Sequence, residues 1–90
     1  MADERLTATV AGLVQGVGFR YWTRAQAERL GLAGIAVNSP DGTVRITAEG
    51  PRPSLERLVT LLESDAPGRV DRVEAGYAKA TGGFRGFDVG

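Results

Sequence analysis

Apolar residues recur at two different periods along these 90 residues, and the order in which the periods alternate leaves few folds open. Between Arg5 and Gly12, Leu6, Ala8 and Val10 share one face and Thr7 and Thr9 the other, the period of two of a strand packed on one side. Arg20 to Leu30 is rich in helix formers and carries Trp22, Ala25, Ala27 and Leu30 as apolar surface, with Gly31 placed to cap the helix in a left-handed conformation. Ile35, Ala36 and Val37 read as a short strand that enters the turn Asn38-Ser39-Pro40-Asp41-Gly42. A second arm from Thr43 to Glu49 sets Val44, Ile46 and Ala48 on one face and Thr43, Arg45, Thr47 and Glu49 on the other, expected to meet solvent.

Gly50-Pro51 closes that hairpin, and Leu55, Leu58, Val59, Leu61 and Leu62 then follow at helical spacing opposite Glu56, Arg57, Thr60 and Glu63. Pro53 is tolerated because it falls in the first turn, where its missing N–H has no partner to lose. Pro67-Gly68 breaks the pattern. Beyond it Val73, Ala75 and Tyr77 alternate as a fourth strand, and Phe84, Phe87 and Val89 offer a short closing fifth. The order βαββαβ, with two helices between strands of a mostly antiparallel sheet, is that of an α+β two-layer sandwich with both helices on one face, the ferredoxin-like arrangement. No repeat or linker divides the chain, so residues 1–90 are expected to form a single domain.

What the chain lacks narrows its chemistry. With no cysteine, thiolate nucleophiles, disulfides and sulfur-ligated metals are excluded, and with no histidine the commonest general base and metal ligand near neutral pH are gone. Eleven basic and 11 acidic residues cancel, which argues against a broad surface for nucleic acid or anionic lipid, so any anion site must be local. No apolar run approaches the roughly 18 residues needed to span a bilayer, and the first residues hold no apolar signal core. A cytoplasmic monomer is the expectation.

One local anion site suggests itself. Gln15-Gly16-Val17-Gly18-Phe19-Arg20 is a glycine-interrupted loop running into a helix N-terminus, where main-chain N–H groups lack intrahelical partners and the helix dipole adds positive potential. Arg20 at the junction can offer phosphate oxygens a planar fork of donors. A Gly-x-Gly alone says little, since it serves as readily to shape a tight turn. The full string Val10-Ala11-Gly12-Leu13-Val14-Gln15-Gly16-Val17-Gly18-Phe19-Arg20, however, resembles the signature loop of the acylphosphatase family at every characteristic position, and the likeness continues from Gly34 through Asn38 and Gly42 to Val44 and Gly50.

The resemblance implies hydrolysis of the carboxyl-phosphate bond of acyl phosphates, with no metal or cofactor. It assigns phosphate binding to the main-chain amides of Gln15, Gly16, Val17, Gly18 and Phe19 together with Arg20, and catalysis to Arg20 and to Asn38, the latter orienting the attacking water. On sequence grounds alone Asn38 reads better as a turn residue before Pro40-Asp41-Gly42. The Gln15 side chain has two readings, bracing the loop or touching the anion. Ile35 and Val37 depart from the aromatic residue and the polar or basic residue that the family usually carries there, and Arg45 stands where glutamate is frequent. Val37 adjoins Asn38 and is the departure that bears on activity. Two rival readings are a non-catalytic anion-binding or regulatory domain of the same fold, and an RNA-binding module, which should stack bases on exposed strand aromatics where this chain has Thr7, Thr9, Thr43, Arg45 and Thr47.

Overall fold

The computed structural model describes residues 2–90. Seven elements follow one another: β1 (Glu4–Leu13), α1 (Phe19–Arg29), β2 (Ala33–Asn38), β3 (Val44–Gly50), α2 (Arg52–Ser64), β4 (Arg69–Lys79) and β5 (Phe87–Val89). The strands form one sheet in the order β4-β1-β3-β2-β5, antiparallel throughout except that β5 runs parallel to β2. Both helices lie over one face, giving the expected α+β, ferredoxin-like sandwich. None is long and apolar enough to cross a membrane.

The register places the buried residues where the period of two put them. Leu6 faces Ala48, Ala8 faces Ile46 and Val10 faces Val44 across β1 and β3, and Ala36 pairs with Ile46 from β2. All of these are fully shielded, and Leu55, Leu58 and Leu62 of α2 pack onto them as one stripe at i, i+3 and i+7. Each such leucine contributes about 1.5–3 kcal/mol through its burial. From α1 the core receives Phe19, Ala27 and the methyl of Thr23, whose hydroxyl donates to the Phe19 carbonyl at 2.9 Å.

Several expectations need correcting. Ala25 of α1 is exposed, because the stripe that meets the sheet runs through Phe19, Thr23 and Ala27 instead. On β4, Ala75 is also exposed, whereas Val70, Val73 and Tyr77 lean on the core. A bulge between Ala11 and Gly12 leaves Asp71 without a partner, so Val70 and Val73, three apart, reach the same face. Phe84 stands outside β5; it lies under the Arg5 guanidinium, 5.3 Å from its ring centroid.

Glu49 is the largest departure. It was expected to meet solvent and is buried. Since β4 and β5 lie at opposite edges, residues 80–86 must cross the end of the sheet, and they do so over Glu49. Its carboxylate accepts from Thr81 N at 2.8 Å, Gly82 N at 3.0 Å, Thr81 Oγ1 at 3.2 Å and Arg5 Nε at 2.8 Å. The Thr81 amide first, then the Arg5, Gly82 and Thr81 hydroxyl donors, outweigh burial and pull the carboxyl from its usual 4.5 down to about 2.

Candidate active site

The loop between β1 and α1 is pinned at both ends and open in the middle. Val14 and Phe19 are each only 1% exposed and anchor it in the core, while Gln15, Gly16, Val17 and Gly18 stand in solvent between them. The chain rises over that short span by taking left-handed turns at Gly16 (φ 76°) and Gly18 (φ 78°), a conformation in which a Cβ would be strained. Gly18 is also the N-cap of α1. A glycine there supplies no capping oxygen, and the first turn holds no acidic side chain. Trp22 N donates to the Gly18 carbonyl at 3.0 Å, but among the described residues the amides of Gln15 through Arg20 donate to nothing. A run of free N–H groups at the positive end of an 11-residue helix is an electrostatic invitation to an anion.

The side chains around the loop connect it to the rest of the site. Gln15 Nε2 donates to the main-chain oxygens of Ser39 at 2.8 Å and Thr43 at 2.9 Å, which settles its geometry as a brace between the loop and the hairpin turn. Asn38 is the last residue of β2, pairs with Val44 across the hairpin and is exposed, directly before the Ser39 that Gln15 holds. Asp41 stiffens the turn by accepting from Thr43 N at 3.1 Å and Thr43 Oγ1 at 2.6 Å. The Thr43 hydroxyl foremost, with its amide, holds the Asp41 carboxyl below the ordinary carboxylate range.

Arg20, the second residue of α1, reaches the main-chain oxygen of Gly90 with Nη1. Gly90 in turn donates to Ala36 at 2.9 Å and packs beside Val37, so Arg20 and Asn38 converge on the same end of β2 by separate routes. The expected residues therefore share one region. Val37, paired with Arg45 and half-buried, packs against the Gly90 segment, while Arg45 is exposed. Trp22 and Phe19 pack together with ring centroids 6.0 Å apart. Among the described residues, no three acidic, cysteine or histidine side chains gather where they could hold a metal ion.

The sequence model of the acylphosphatase family matches residues 6–89, from the first core leucine of β1 to the end of β5. The chain belongs to the acylphosphatase family. It is 58% identical over 85 residues to the acylphosphatase of Rhodococcus jostii, covering 93% of this chain and 96% of that one. Against the acylphosphatase of Thermobifida fusca it is 54% identical over 89 residues, 98% of both chains. Among solved structures it resembles the crystal structure of the Bacillus subtilis acylphosphatase, with a TM-score of 0.88, 31% identity and coverage of 97% of this chain and 98% of the other. The family likeness thus spans the glycine loop before α1, the hairpin and both helices.

Proposed function

We propose that this chain is an acylphosphatase that hydrolyses the carboxyl-phosphate bond of acyl phosphates to carboxylate and inorganic phosphate. The observation that carries the proposal is the row of unpartnered amides from Gln15 to Arg20, tied by the Gln15 side chain to the turn beside Asn38. In this reading those amides and the Arg20 guanidinium hold the phosphoryl oxygens, and Asn38 orients the attacking water. Arg20 exchanges its contact with the Gly90 oxygen for phosphate, whose several oxygens accept from the guanidinium fork in a bidentate way.

The reaction asks little else of the protein. Water oxygen bonds to phosphorus as the bond from phosphorus to the acyl oxygen breaks, and the carboxylate leaves with the electron pair, needing no proton. The loose transition state is stabilised mainly by donors aimed at the equatorial phosphoryl oxygens. The water's second proton passes to a phosphoryl oxygen of the substrate. Asp41 is a poor candidate for that base, since its bonds to Thr43 favour the ionised carboxylate and lower its basicity. The same reading takes residues 1–90 as a single domain that acts as a cytoplasmic monomer on small soluble substrates, without nucleic acid, membrane or cofactor.

The test is hydrolysis of benzoyl phosphate by metal-free protein, with Arg20→Ala and Asn38→Ala variants whose folding is checked by circular dichroism. Loss of one such donor is expected to lower kcat/KM by about 100- to 1,000-fold. Across neutral pH the wild-type profile is expected to show no protein base titrating near 7. A folded wild type that binds phosphate without turnover would establish the non-catalytic anion-binding domain instead.

A further inference from the structure

The loop between β1 and α1 rests against a second turn, one that supplies no group to the reaction. Residues 65–68 join α2 to β4, and Gly68 at the end of that turn takes a left-handed conformation (φ 79°). A Cβ at Gly68 would fall on the Leu13 carbonyl oxygen and come within 3.0 Å of a Val17 methyl. The close approach is reciprocal. On β1, a Cβ at Gly12 would fall on the Arg69 carbonyl oxygen and lie 2.9 Å from Asp71 N. Two glycines thus let the end of β1 and the start of β4 close to backbone contact, at the bulge between Ala11 and Gly12.

That contact falls where it can set the loop. Leu13 is the last residue of β1, and Val17 lies between the two left-handed glycines of the loop. In the sheet, β3 and β4 flank β1 on opposite sides. Gln15 ties the loop toward the β3 side through the Ser39 and Thr43 oxygens, and Gly68 bounds it on the β4 side. The bounding turn is itself stiff. Pro67 fixes its own φ and restricts the residue before it, and that residue, Ala66, packs against the core.

We infer that the turn Ala66-Pro67-Gly68 is a second brace of the anion-binding loop, and that Gly68 is a positioning residue for the phosphoryl group. A side chain at position 68 displaces the Leu13 carbonyl and Val17, and with them the free amides that lie between and beyond. The inference rests on the phosphate-site reading above and adds to it a residue from outside the loop, the hairpin and α1.

The experiment measures the dissociation constant for inorganic phosphate by ¹⁵N amide shifts, and kcat for benzoyl phosphate, in the wild type, Gly68→Ala and Gly31→Ala. Gly31, at the far end of α1, shares the left-handed backbone (φ 72°), but a Cβ there meets no described atom within 4 Å. Both variants are expected to unfold at lower urea than the wild type, since both place a Cβ on a left-handed residue. Gly68→Ala alone is expected to weaken phosphate binding, by roughly 10- to 100-fold, the value of one lost hydrogen bond to a charged group, and to lower kcat. A folded Gly68→Ala with the phosphate affinity and kcat of Gly31→Ala overturns the brace. If Gly68→Ala does not fold, Val17→Ala removes the methyl contact from the loop side: weakened phosphate binding supports the brace and unchanged affinity overturns it. Inorganic phosphate has no acyl group, so neither loss can arise from a contact to that part of a substrate. Weakened phosphate binding in Gly68→Ala, with no turnover by the wild type, keeps the brace and overturns the hydrolase reading.

Discussion

Two stretches of this chain offer main-chain N–H groups to an anion beside an arginine, and they differ in who supplies the anion. At Thr81 and Gly82 the fold supplies it: the Glu49 carboxylate sits on both amides with Arg5 alongside. At Gln15 through Arg20 the amides have no partner within the described residues, and Arg20 rests on a main-chain oxygen of Gly90. The closed stretch shows what such a set of donors does. It pulls a buried carboxyl down to about 2, against a desolvation that by itself would raise it. The open stretch has more amides and a helix N-terminus besides, so, in the proposed reading, an external phosphoryl group would meet donors already arranged for its charge, with little left to reorganise.

The difference can be sharpened at Gln15, which belongs to the open stretch but contributes through its side chain. Gln15→Ala frees the loop from the Ser39 and Thr43 oxygens, so phosphate and water are no longer held at a fixed separation. A fall in kcat of about 10- to 100-fold is expected, because misplacement of about an ångström is enough to cost that much. Inhibition by inorganic phosphate should change far less, since the amides remain. Parallel losses of kcat and phosphate inhibition would mean that Gln15 orders the loop alone.

A smaller effect is expected from Glu49→Gln, and it should fall on stability. The Glu49 carboxyl has a folded value near 2 against an ordinary 4.5, so its contribution is present above about 4.5 and is lost as pH falls toward 2. Urea unfolding of the wild type should therefore weaken over that window. The variant should be less stable at neutral pH and lose less on acidification, with hydrolysis by the folded fraction close to wild type. If hydrolysis is lost while the fold persists, the two stretches are coupled and the comparison fails.

How much of this was legible in the sequence depended on whether the cause was local. Gly16, Gly18, the core face of β1 and the Leu55, Leu58 and Leu62 stripe follow from periodicity and conformational preference within a few residues, and all stand where they were expected. Asn38 is a site candidate only through family resemblance, since on sequence grounds alone Asn before Pro40-Asp41-Gly42 reads better as a turn residue. The sequence leaves the Gln15 side chain open because its acceptors are main-chain oxygens 24 and 28 residues away, which any residue type would provide. Glu49 read as solvent-facing because strand alternation carries no record of residues 80–86 crossing over it. On β4 strict alternation puts Ala75 with Val73 and Tyr77 and does not foresee the bulge at Asp71 that brings Val70 to the face of Val73.

The central claim is that the open amides are the phosphate site, and the direct measurement is a titration of ¹⁵N-labelled protein with inorganic phosphate, followed by amide chemical shifts. Saturable shifts should concentrate on Gln15 through Arg20 and disappear in Arg20→Ala, while the Thr81 and Gly82 amides, already occupied by Glu49, stay in place. Phosphate shifts centred elsewhere, with residues 15–20 unmoved, would contradict the account.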